Sequence, residues 1–427
     1  MTTLTETAPE ATDLKRRRSF GATWKVPIVF AVFLVAAIVL YLGLHRTGIS
    51  TFQLSTSDDF IQLPKVKLPT LPASIVLVVI LAIITAVSVY LVRAGRAVRL
   101  WLIAVYAVVF FVGFLTWAAA GQSLPVPGLL IGAVSLSTPL IFGALGGVIG
   151  ERAGVVNVAI EGQLLAGAFV SAVVASATHQ PVLGLIAAAA AGVLVSFVLA
   201  AFAIKYLVDQ VIVGVVLNVL VTGLTSFLYT TLLSPNSDTL NSPPRFEQLQ
   251  IPVLSQIPIL GPVLFDQTVI VYCMYVAIVV VWFALFKTRW GLRVRAVGEH
   301  PKAADTVGIN VNRTRFWNVS LAGAIVGFGG AFFTLGSVGG FTKEMTAGNG
   351  FIALAAVIFG RWDPIRATLA ALLFGFASNL QSVLSIIGSP VPSEFMLMLP
   401  YIVTIFAVAG LVGQSRAPAA SGKPYIK

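Results

Sequence analysis

The sequence predicts an all-α, polytopic integral membrane protein with about 10–12 transmembrane helices. Hydrophobic residues make up 58% of the 427 residues and charged residues only 10%, whereas soluble domains carry about 25% charged residues. Long apolar runs also recur along the whole chain, and most reach the roughly 20 residues that a helix needs to cross a bilayer. A large soluble core could not hide so many of these runs, so lipid is the main solvent of this chain.

The apolar runs divide the chain into twelve candidate segments. They lie at about 27–44, 73–92, 98–119, 129–149, 164–178, 182–207, 211–233, 268–286, 316–338, 351–360, 367–387 and 395–412. Two of them, 164–178 and 351–360, are short and flanked by glycine. Because lipid tolerates broken backbone only beside protein or a polar cavity, we expect these two segments to lie near a transport pathway.

Basic residues indicate the orientation of these segments. If the N-terminus is cytoplasmic and the twelve segments alternate, 22 of the 27 Lys and Arg residues fall inside, as the positive-inside rule requires. Both termini are then cytoplasmic. The net charge of +11 follows from this distribution, so we predict contact with membrane lipid and no nucleic-acid partner.

The N-terminal region divides into two parts. Residues 1–26 are predicted to be a disordered, basic cytoplasmic tail, and residues 27–128 to form N-terminal transmembrane helices with an external loop at 45–72. We interpret the first apolar run as a retained signal anchor, because it is about 18 residues long and no cleavage site follows it. A lone cysteine, Cys273, excludes an intrachain disulfide, and three scattered histidines give no metal centre.

A basic loop at 287–316 is the most informative polar segment. It reads KTRWGLRVRAVGEHPKAADTVGINVNRTRF. Pro301 suits a first helical turn and Gly308 a helix end, so a short helix is predicted between them. Charge alone leaves two interpretations open: a solvated loop near anionic lipid, or a helix that docks on a cytoplasmic partner.

Three stretches carry a family resemblance. GLRVRAVGEHPKAADTVGINVNRTRFW resembles the cytoplasmic coupling segment of bacterial ABC importer permeases of the branched-chain amino acid and ribose type. GERAGVVNVAIEGQLLAGAF and GNGFIALAAVIFGRWDP are similar to the paired permeases of nucleoside importers. The resemblance covers residues 129–412, which would form the permease core with the coupling loop at 287–316. Residues 413–427 would be a cytoplasmic C-terminal tail.

The resemblance implies a coupling helix and a set of partners. Two ATPase subunits, a second similar permease chain and an external substrate-binding lipoprotein would complete the importer in a bacterial inner membrane. The chain has no GxxxxGK[ST] phosphate loop, so we expect no catalytic residue in it and no bound cofactor, with ATP and Mg²⁺ held by the separate ATPase. The ATPase-coupling residues implied are Arg295, Gly298, Glu299, Pro301, Ala303, Ala304 and Gly308.

An inverted repeat is predicted within the core. GGVIGERAGVVNVAIEGQLLAGAF and GSVGGFTKEMTAGNGFIALAAVIF share a glycine-rich opening, a charged patch and a short apolar helix. In this comparison Glu161-Gly162 aligns with Asn349-Gly350. The topology places the first pair at the cytoplasmic side and the second at the outer side, as inverted repeats of transporters require.

Polar residues in the apolar segments are the pathway candidates. Glu161 is costly near lipid, and we expect it to brace the bend by pairing with Arg152. Amide side chains both donate and accept hydrogen bonds, as a sugar hydroxyl or a base edge requires; the alternative for each is an interhelical bond, worth about 1 kcal/mol. RWDPIR is interpreted either as a turn with Arg361 and Asp363 paired or as a simple connector. The substrate-pathway candidates are Asn157, Glu161, Asn218, Asn349, Asn379 and Gln381.

The chain is therefore predicted to be the permease subunit of an ATP-driven importer, forming half of the pathway for nucleosides. Ribose or another simple sugar is the alternative substrate. A different class of protein, an ion- or proton-coupled secondary transporter, would use Glu161 or Asp209 as its coupling carboxylate.

Overall fold

Apolar runs and their polar interruptions set the boundaries of the helices. In the computed structural model, the structure describes residues 24–44, 46–56, 61–389, 391–392, 394–395, 398 and 416–426. Almost all of the predicted disordered tail at 1–26 and of the twelfth apolar segment at 395–412 lies outside the described residues.

Fifteen helices follow one another along the described chain. They are α1 Lys25–Ala37, α2 Thr70–Arg93, α3 Leu100–Ala118, α4 Val126–Arg152, α5 Ile160–Thr178, α6 Pro181–Ala200, α7 Gln210–Leu228, α8 Ser237–Leu240, α9 Leu260–Leu264, α10 Val269–Lys287, α11 Arg289–Glu299, α12 Pro301–Thr306, α13 Val311–Ala331, α14 Asn349–Phe359 and α15 Pro364–Ile386. Wider π turns extend α1, α6, α7 and α13 through Ile38–Gly43, Ala201–Lys205, Tyr229–Leu233 and Phe332–Val338. A 3₁₀ turn occupies Leu254–Gln256.

Ten of the described helices are long and apolar enough to cross a membrane, which confirms the predicted fold class. The prediction that segment 164–178 is short is wrong, because α5 begins at Ile160 and has 19 residues. Its first turn contains Glu161 and Gln163, which are buried and satisfied by other side chains and backbone groups. The other short segment is confirmed, since α14 has only 11 residues.

One compact unit comprises residues 1–56, 63–126 and 383–392. Its described part contains α1, α2 and α3 and a small sheet of three strands, β1 Ile49–Gln53, β2 Val66–Pro69 and β3 Ser123–Pro125. β1 pairs antiparallel with β2, Ile49 opposite Pro69, and parallel with β3, Thr51 opposite Ser123. Phe30 stacks on Tyr106 with ring centroids 4.0 Å apart. The predicted external loop at 45–72 thus holds two of the three strands.

The second unit comprises residues 57–62, 127–382 and 393–427, and within it α5, α6 and α13 form the closest-packed group. A Cβ on Gly192 would lie 2.0 Å from the carbonyl oxygen of Gly323, and one on Gly167 would lie 2.2 Å from that of Gly327. Only glycine permits these approaches, which bring helix backbones together as small residues do in other membrane helices. This glycine seam fixes α5, which carries much of the candidate site. Two further strands, β4 Gln248–Gln250 and β5 Asp266–Thr268, pair antiparallel in the same unit.

The basic loop at 287–316 is mostly helical. α12 at Pro301–Thr306 confirms the predicted short helix, and Gly308 ends it in a left-handed conformation with φ of +84°. The sequence did not predict α11, and α13 begins at Val311 rather than 316. Arg315, interpreted as a loop charge, is 2% exposed, because it belongs to the first turns of α13.

Candidate functional site

The loop between α4 and α5, residues 153–159, is held by polar side chains of α7. Gln210 accepts a hydrogen bond at Oε1 from the Val156 backbone N–H over 2.7 Å. Asn218 donates from Nδ2 to the Val158 carbonyl over 2.9 Å and accepts at Oδ1 from the Gly162 N–H over 2.8 Å. We call residues 153–159 the pathway loop. Its backbone is fixed by α7, so Asn218 has a bracing role in this structure.

Asn157 points from the pathway loop into a buried chain of polar side chains. Its Nδ2 donates to Oε1 of Gln163 over 2.9 Å, and Nε2 of Gln163 donates to the Ser196 hydroxyl over 2.9 Å. All three residues are fully buried. Networks of this kind rigidify a core when every member is satisfied. Asn157 therefore ties the pathway loop to α5 and α6.

Glu161 joins the start of α5 to the start of α14. Its Oε1 accepts from the Thr346 hydroxyl over 2.6 Å and from the Gly348 N–H over 2.8 Å, and its Oε2 accepts from the Gly350 N–H over 2.6 Å. A carboxylate at a helix N-terminus satisfies backbone N–H groups that have no partner in the helix and complements the helix dipole. Glu161 thus caps α14 from another helix.

The two motifs of the predicted repeat are therefore in direct contact. A Cβ on Gly350 would lie 2.3 Å from the backbone nitrogen of Glu161, so the placement of the two motifs at opposite sides of the membrane is wrong. The α14 helix is about 16 Å long at 1.5 Å per residue, which is half of a bilayer core of about 30 Å.

The predicted pairing of Glu161 with Arg152 is also wrong. Arg152 donates from Nε to the Trp362 carbonyl over 3.0 Å, and its Nη1 lies 4.0 Å from Oε1 of Glu299. The neighbouring Glu151 accepts at Oε2 from Nε1 of Trp362 over 2.5 Å. These contacts attach the end of α4 to the turn before α15. Glu161 does not pair with Arg152, because its two oxygens accept from Thr346, Gly348 and Gly350.

The RWDPIR turn is an internal, strained connection. Arg361 and Trp362 have φ of +53° and +55°, a region that costs non-glycine residues about 1–3 kcal/mol each. Asp363 accepts at Oδ1 from the Arg366 N–H over 3.0 Å. The Asp363 carboxylate therefore caps the N-terminus of α15. Within the described residues, Asp363 forms no ion pair with Arg361. Contacts of Trp362 with Glu151 and Arg152 hold the strained turn in place.

The coupling loop, residues 287–316, packs directly against the end of α4. A Cβ on Gly298 would lie 2.1 Å from the Arg152 carbonyl oxygen, and a Cβ on Gly154 would lie 2.8 Å from Nη2 of Arg315. The Gly298 contact brings the backbone of α11 against the last residue of α4, and the Gly154 contact seats the Arg315 side chain against the pathway loop.

The remaining predicted coupling residues divide into packed and exposed ones. Arg295 lies over the ring of Phe286, 5.2 Å from its centroid, and Arg152 lies 5.7 Å from the same centroid. Ala304 is 3% exposed, whereas Pro301 is half-buried and Ala303 exposed. Gly308 has open space around its Cβ position. The α12 helix therefore presents one face outward and packs the other inward.

Four of the six predicted pathway residues have their side chains satisfied by the protein, and two do not. Asn379 donates from Nδ2 to the Leu129 carbonyl over 2.7 Å, so it makes an interhelical bond, as Asn157, Glu161 and Asn218 also do with neighbouring segments. Asn349 and Gln381 are half-buried, and neither side chain forms a hydrogen bond within the described part of the chain. Within the described residues, these two amides thus keep their donors and acceptors unpaired.

Sequence reasoning missed several residues of the site. Each is polar and stands inside or beside an apolar run, which is the signal that was available. The partners of some of them lie far along the chain, for example 211 residues apart for Trp362 and Glu151. The missed residues are Gln163, Ser196, Gln210, Thr346 and Trp362. As for metals, no cluster of three His, Cys, Asp or Glu side chains lies close enough to hold an ion within the described residues.

Comparison with known proteins gives consistent matches over the second unit. A family model described as branched-chain amino acid transport system / permease component matches residues 129–408. The guanosine ABC transporter permease protein NupQ of Bacillus subtilis is 44% identical over 318 residues, 71% of this chain and 97% of NupQ. The nucleoside ABC transporter permease protein NupC of Lactococcus lactis is 40% identical over 68% of this chain and 94% of NupC. The putative glucose ABC transporter permease protein TsgC13 of Haloferax volcanii is 36% identical over 60% of this chain and 77% of TsgC13. No solved structure gives a significant match.

Proposed function

We propose, from the premise that this chain belongs to the family of branched-chain amino acid transport system permease components, that it forms one half of the translocation pathway of an ATP-driven importer for nucleosides. The ten membrane-length helices among its described residues make it a multi-pass membrane protein. We take the permease core to be the matched residues 129–408, most of which belong to the second unit. Residues 1–56 and 63–126 of the first unit precede this match.

The contact of Gly298 with the Arg152 carbonyl carries this proposal. It joins α11 of the coupling loop to the last residue of α4, and the pathway loop follows directly and leads to Glu161, which binds the N-terminus of α14. A push on α12, which follows α11 directly, therefore reaches the start of both α5 and α14 through this contact. An importer needs such a link, because ATP binding elsewhere must shift the pathway between outward and inward openings.

Nucleosides are proposed as the substrates because NupQ and NupC carry guanosine and nucleoside in their names. Free amides such as those of Asn349 and Gln381 offer donors and acceptors for a ribose hydroxyl or a base edge. A simple sugar is the second candidate, since TsgC13 is named for glucose and the same amides suit its hydroxyls.

The partners follow from the same premise. A second, similar permease chain would complete the pathway, separate ATPase subunits would bind ATP with Mg²⁺ and dock on the coupling loops, and an external lipoprotein would deliver the nucleoside. We place the chain in a bacterial cell membrane with the coupling loop and both termini in the cytoplasm. The asymmetry of Lys and Arg in the sequence supports this orientation.

The structure disfavours an ion-coupled secondary transporter, because the two carboxylates that such a transporter would use already accept hydrogen bonds from the protein. Glu161 is bound by three donors. Asp209 caps α7, accepting at Oδ1 from the Val211 and Ile212 N–H groups over 2.9 and 3.1 Å. Both carboxylates are engaged in holding helix ends, so neither is free for a coupling ion.

The function is tested by uptake into proteoliposomes that contain the chain with its second permease, its ATPase and its binding protein. We expect uptake of radiolabelled guanosine that requires ATP inside the vesicle, and competition by adenosine and uridine but not by ribose or glucose. Competition by glucose or ribose alone would favour the sugar alternative. Uptake driven by a proton gradient without ATPase would contradict the whole proposal.

The orientation is tested by cysteine accessibility in a Cys273→Ser background. Lys302→Cys lies on the exposed face of α12, and Glu247→Cys lies on an exposed part of the loop between α7 and α10. In intact cells a membrane-impermeant maleimide should label the second variant and spare the first, and inverted vesicles should reverse the result. Labelling of Lys302→Cys from outside would overturn the orientation.

A further inference from the structure

The C-terminal residues 416–426, which we call the C-terminal strap, lie along the coupling loop. The Ala420 N–H donates to the Gly298 carbonyl over 2.9 Å, and the Ala419 N–H donates to Oε2 of Glu299 over 3.2 Å. Pro418 and Ala420 are buried in this contact. The strap therefore binds the same two residues that join the coupling loop to Arg152.

A buried arginine anchors the other end of the strap. Arg315 is 2% exposed, and its Nη1 donates to the Lys423 carbonyl over 2.9 Å. Removing an arginine from water costs free energy unless hydrogen bonds replace its hydration, and the strap carbonyl supplies one of these bonds. Arg315 also contacts the pathway loop at Gly154, so strap, coupling loop and pathway loop meet at one side chain.

Tyr425 packs the strap against the inner face of α12. It lies beside the buried cluster of Val297, Ala304 and Val311. Partial burial, followed by a hydrogen bond and the charge of Asp305, raises the pKa of its phenol. Because α12 has six residues, too few to be stable as an isolated helix, these contacts are a large part of what holds it in one orientation.

The strap flanks α12 and does not cover it. Lys302, Ala303, Thr306 and Val307 remain exposed on the outer face, with Val307 74% exposed. Between that face and the strap lies an open groove of about 660 Å³. Its walls include Glu299, Pro301 and Lys302 on one side and Ala420, Lys423 and Ile426 on the other.

We propose that the C-terminal strap is the second wall of the docking surface for the ATPase subunit, so that the ATPase binds a groove built by α12 and the strap together. The occupant is a segment of the ATPase. It would place an apolar side chain between Pro301 and Ile426, which face each other across the groove, and carboxylates beside Lys302 and Lys423. Continuity with the coupling helix selects this partner. The inference rests on the proposed function, which supplies the ATPase.

The groove can be tested by measuring the affinity of the purified ATPase for the assembled permease pair in nanodiscs. Deletion of residues 416–427 should weaken binding at least 10-fold, and Tyr425→Ala should weaken it several-fold. Tyr425→Phe keeps the ring and should bind normally. Tyr206→Ala, which removes an exposed tyrosine remote from the strap in sequence, is the matched control and should also bind normally. Thermal unfolding of each purified variant checks that the pair remains folded.

The outcomes separate this inference from the proposed function. If the wild-type pair binds no ATPase, the proposed function fails. If it binds and the deletion binds equally well, the strap is not part of the docking surface. Tighter binding after the deletion would also overturn the inference, since the strap would then obstruct the ATPase. A second measurement uses the Cys273→Ser background, in which Ile426→Cys should crosslink to the ATPase and Val182→Cys, in an exposed position of α6, should not.

Discussion

Glu161 is the side chain on which the geometry of the pathway most depends. It accepts three hydrogen bonds from the segment that begins α14, and it is 8% exposed. Hydrogen bonds to a charged group contribute about 1.5–3 kcal/mol each. The carboxylate is the acceptor for the Gly350 N–H in the first turn of α14 and for the Gly348 N–H just before it.

Glu161→Gln should therefore damage both stability and transport. The amide presents an NH₂ group to one of the two glycine N–H donors, so at least one buried bond is lost. We expect a lower midpoint of thermal unfolding and at least a 10-fold fall in ATP-dependent guanosine uptake. Glu247→Gln, at an exposed carboxylate, is the control and should change neither. Normal uptake by Glu161→Gln would show that α14 does not need this cap.

Removal of the Asn349 amide and removal of the Asn157 amide should affect different quantities, the first the uptake rate and the second the unfolding midpoint. Asn349→Ala loses no hydrogen bond within the described chain, so the unfolding midpoint should stay unchanged while the maximal uptake rate falls. Asn157→Ala leaves the buried Oε1 of Gln163 without its hydrogen-bond donor, at about 1–3 kcal/mol, so the unfolding midpoint of this variant should fall. An unchanged uptake rate in Asn349→Ala would remove that residue from the pathway.

The sequence indicated which residues are polar in an apolar setting but not what they bind. Glu161, Asn157 and Asn218 were all recognisable by type. The partners of Glu161 and Asn218 depend on how distant segments pack, and the Glu161–Thr346 contact joins residues 185 apart. This explains why a pairing with the nearby Arg152 was predicted and is wrong.

Among the helices, the glycine seam of α5, α6 and α13 is the rigid frame for these contacts. Gly192 and Gly323 approach so closely that each would place a Cβ within 2.4 Å of a backbone oxygen of the other helix. The approach of Gly167 to Gly327 joins α5 to the same seam.

Gly192→Ala should separate α6 from α13 and destabilise the protein. Overpacking of this kind costs about 1–3 kcal/mol, and the unfolding midpoint of the purified protein should fall accordingly. Gly223→Ala is the matched control, because nothing lies within 4 Å of its Cβ position and alanine favours a helix over glycine by about 0.5–1 kcal/mol. A midpoint for Gly192→Ala equal to that of the control would show that the seam is looser than described.

The membrane-length helices were predictable because the length of an apolar run is a local property of the sequence. The short helix α12 was predictable for the same reason, since Pro301 and Gly308 mark its two ends. The start of α5 was not, since its first turn looks like a polar loop until its partners are known. Helix α11 was missed for a related reason: its Arg-rich sequence has an apolar side formed by Val294 and Val297, both fully buried, which only packing reveals.

Across the whole second unit, one chain of contacts runs from the coupling loop to the pathway. It passes from Gly298 to the Arg152 carbonyl, through the pathway loop to Glu161, and from there to Gly350. Each step is a backbone contact or a buried hydrogen bond. Because these contacts are short and direct, we expect a small displacement of α11 to reach the first turns of α5 and α14.

The coupling ratio of Gly298→Ala, nucleosides imported per ATP hydrolysed in proteoliposomes, tests this path most directly. The added Cβ would lie 2.1 Å from the Arg152 carbonyl oxygen and must push the two loops apart, while the exposed face of α12 stays intact for docking. With Gly223→Ala as control, we predict that Gly298→Ala retains ATP hydrolysis and loses at least 10-fold of its uptake per ATP. A ratio equal to that of the control, with the variant folded and the ATPase bound, would contradict the path.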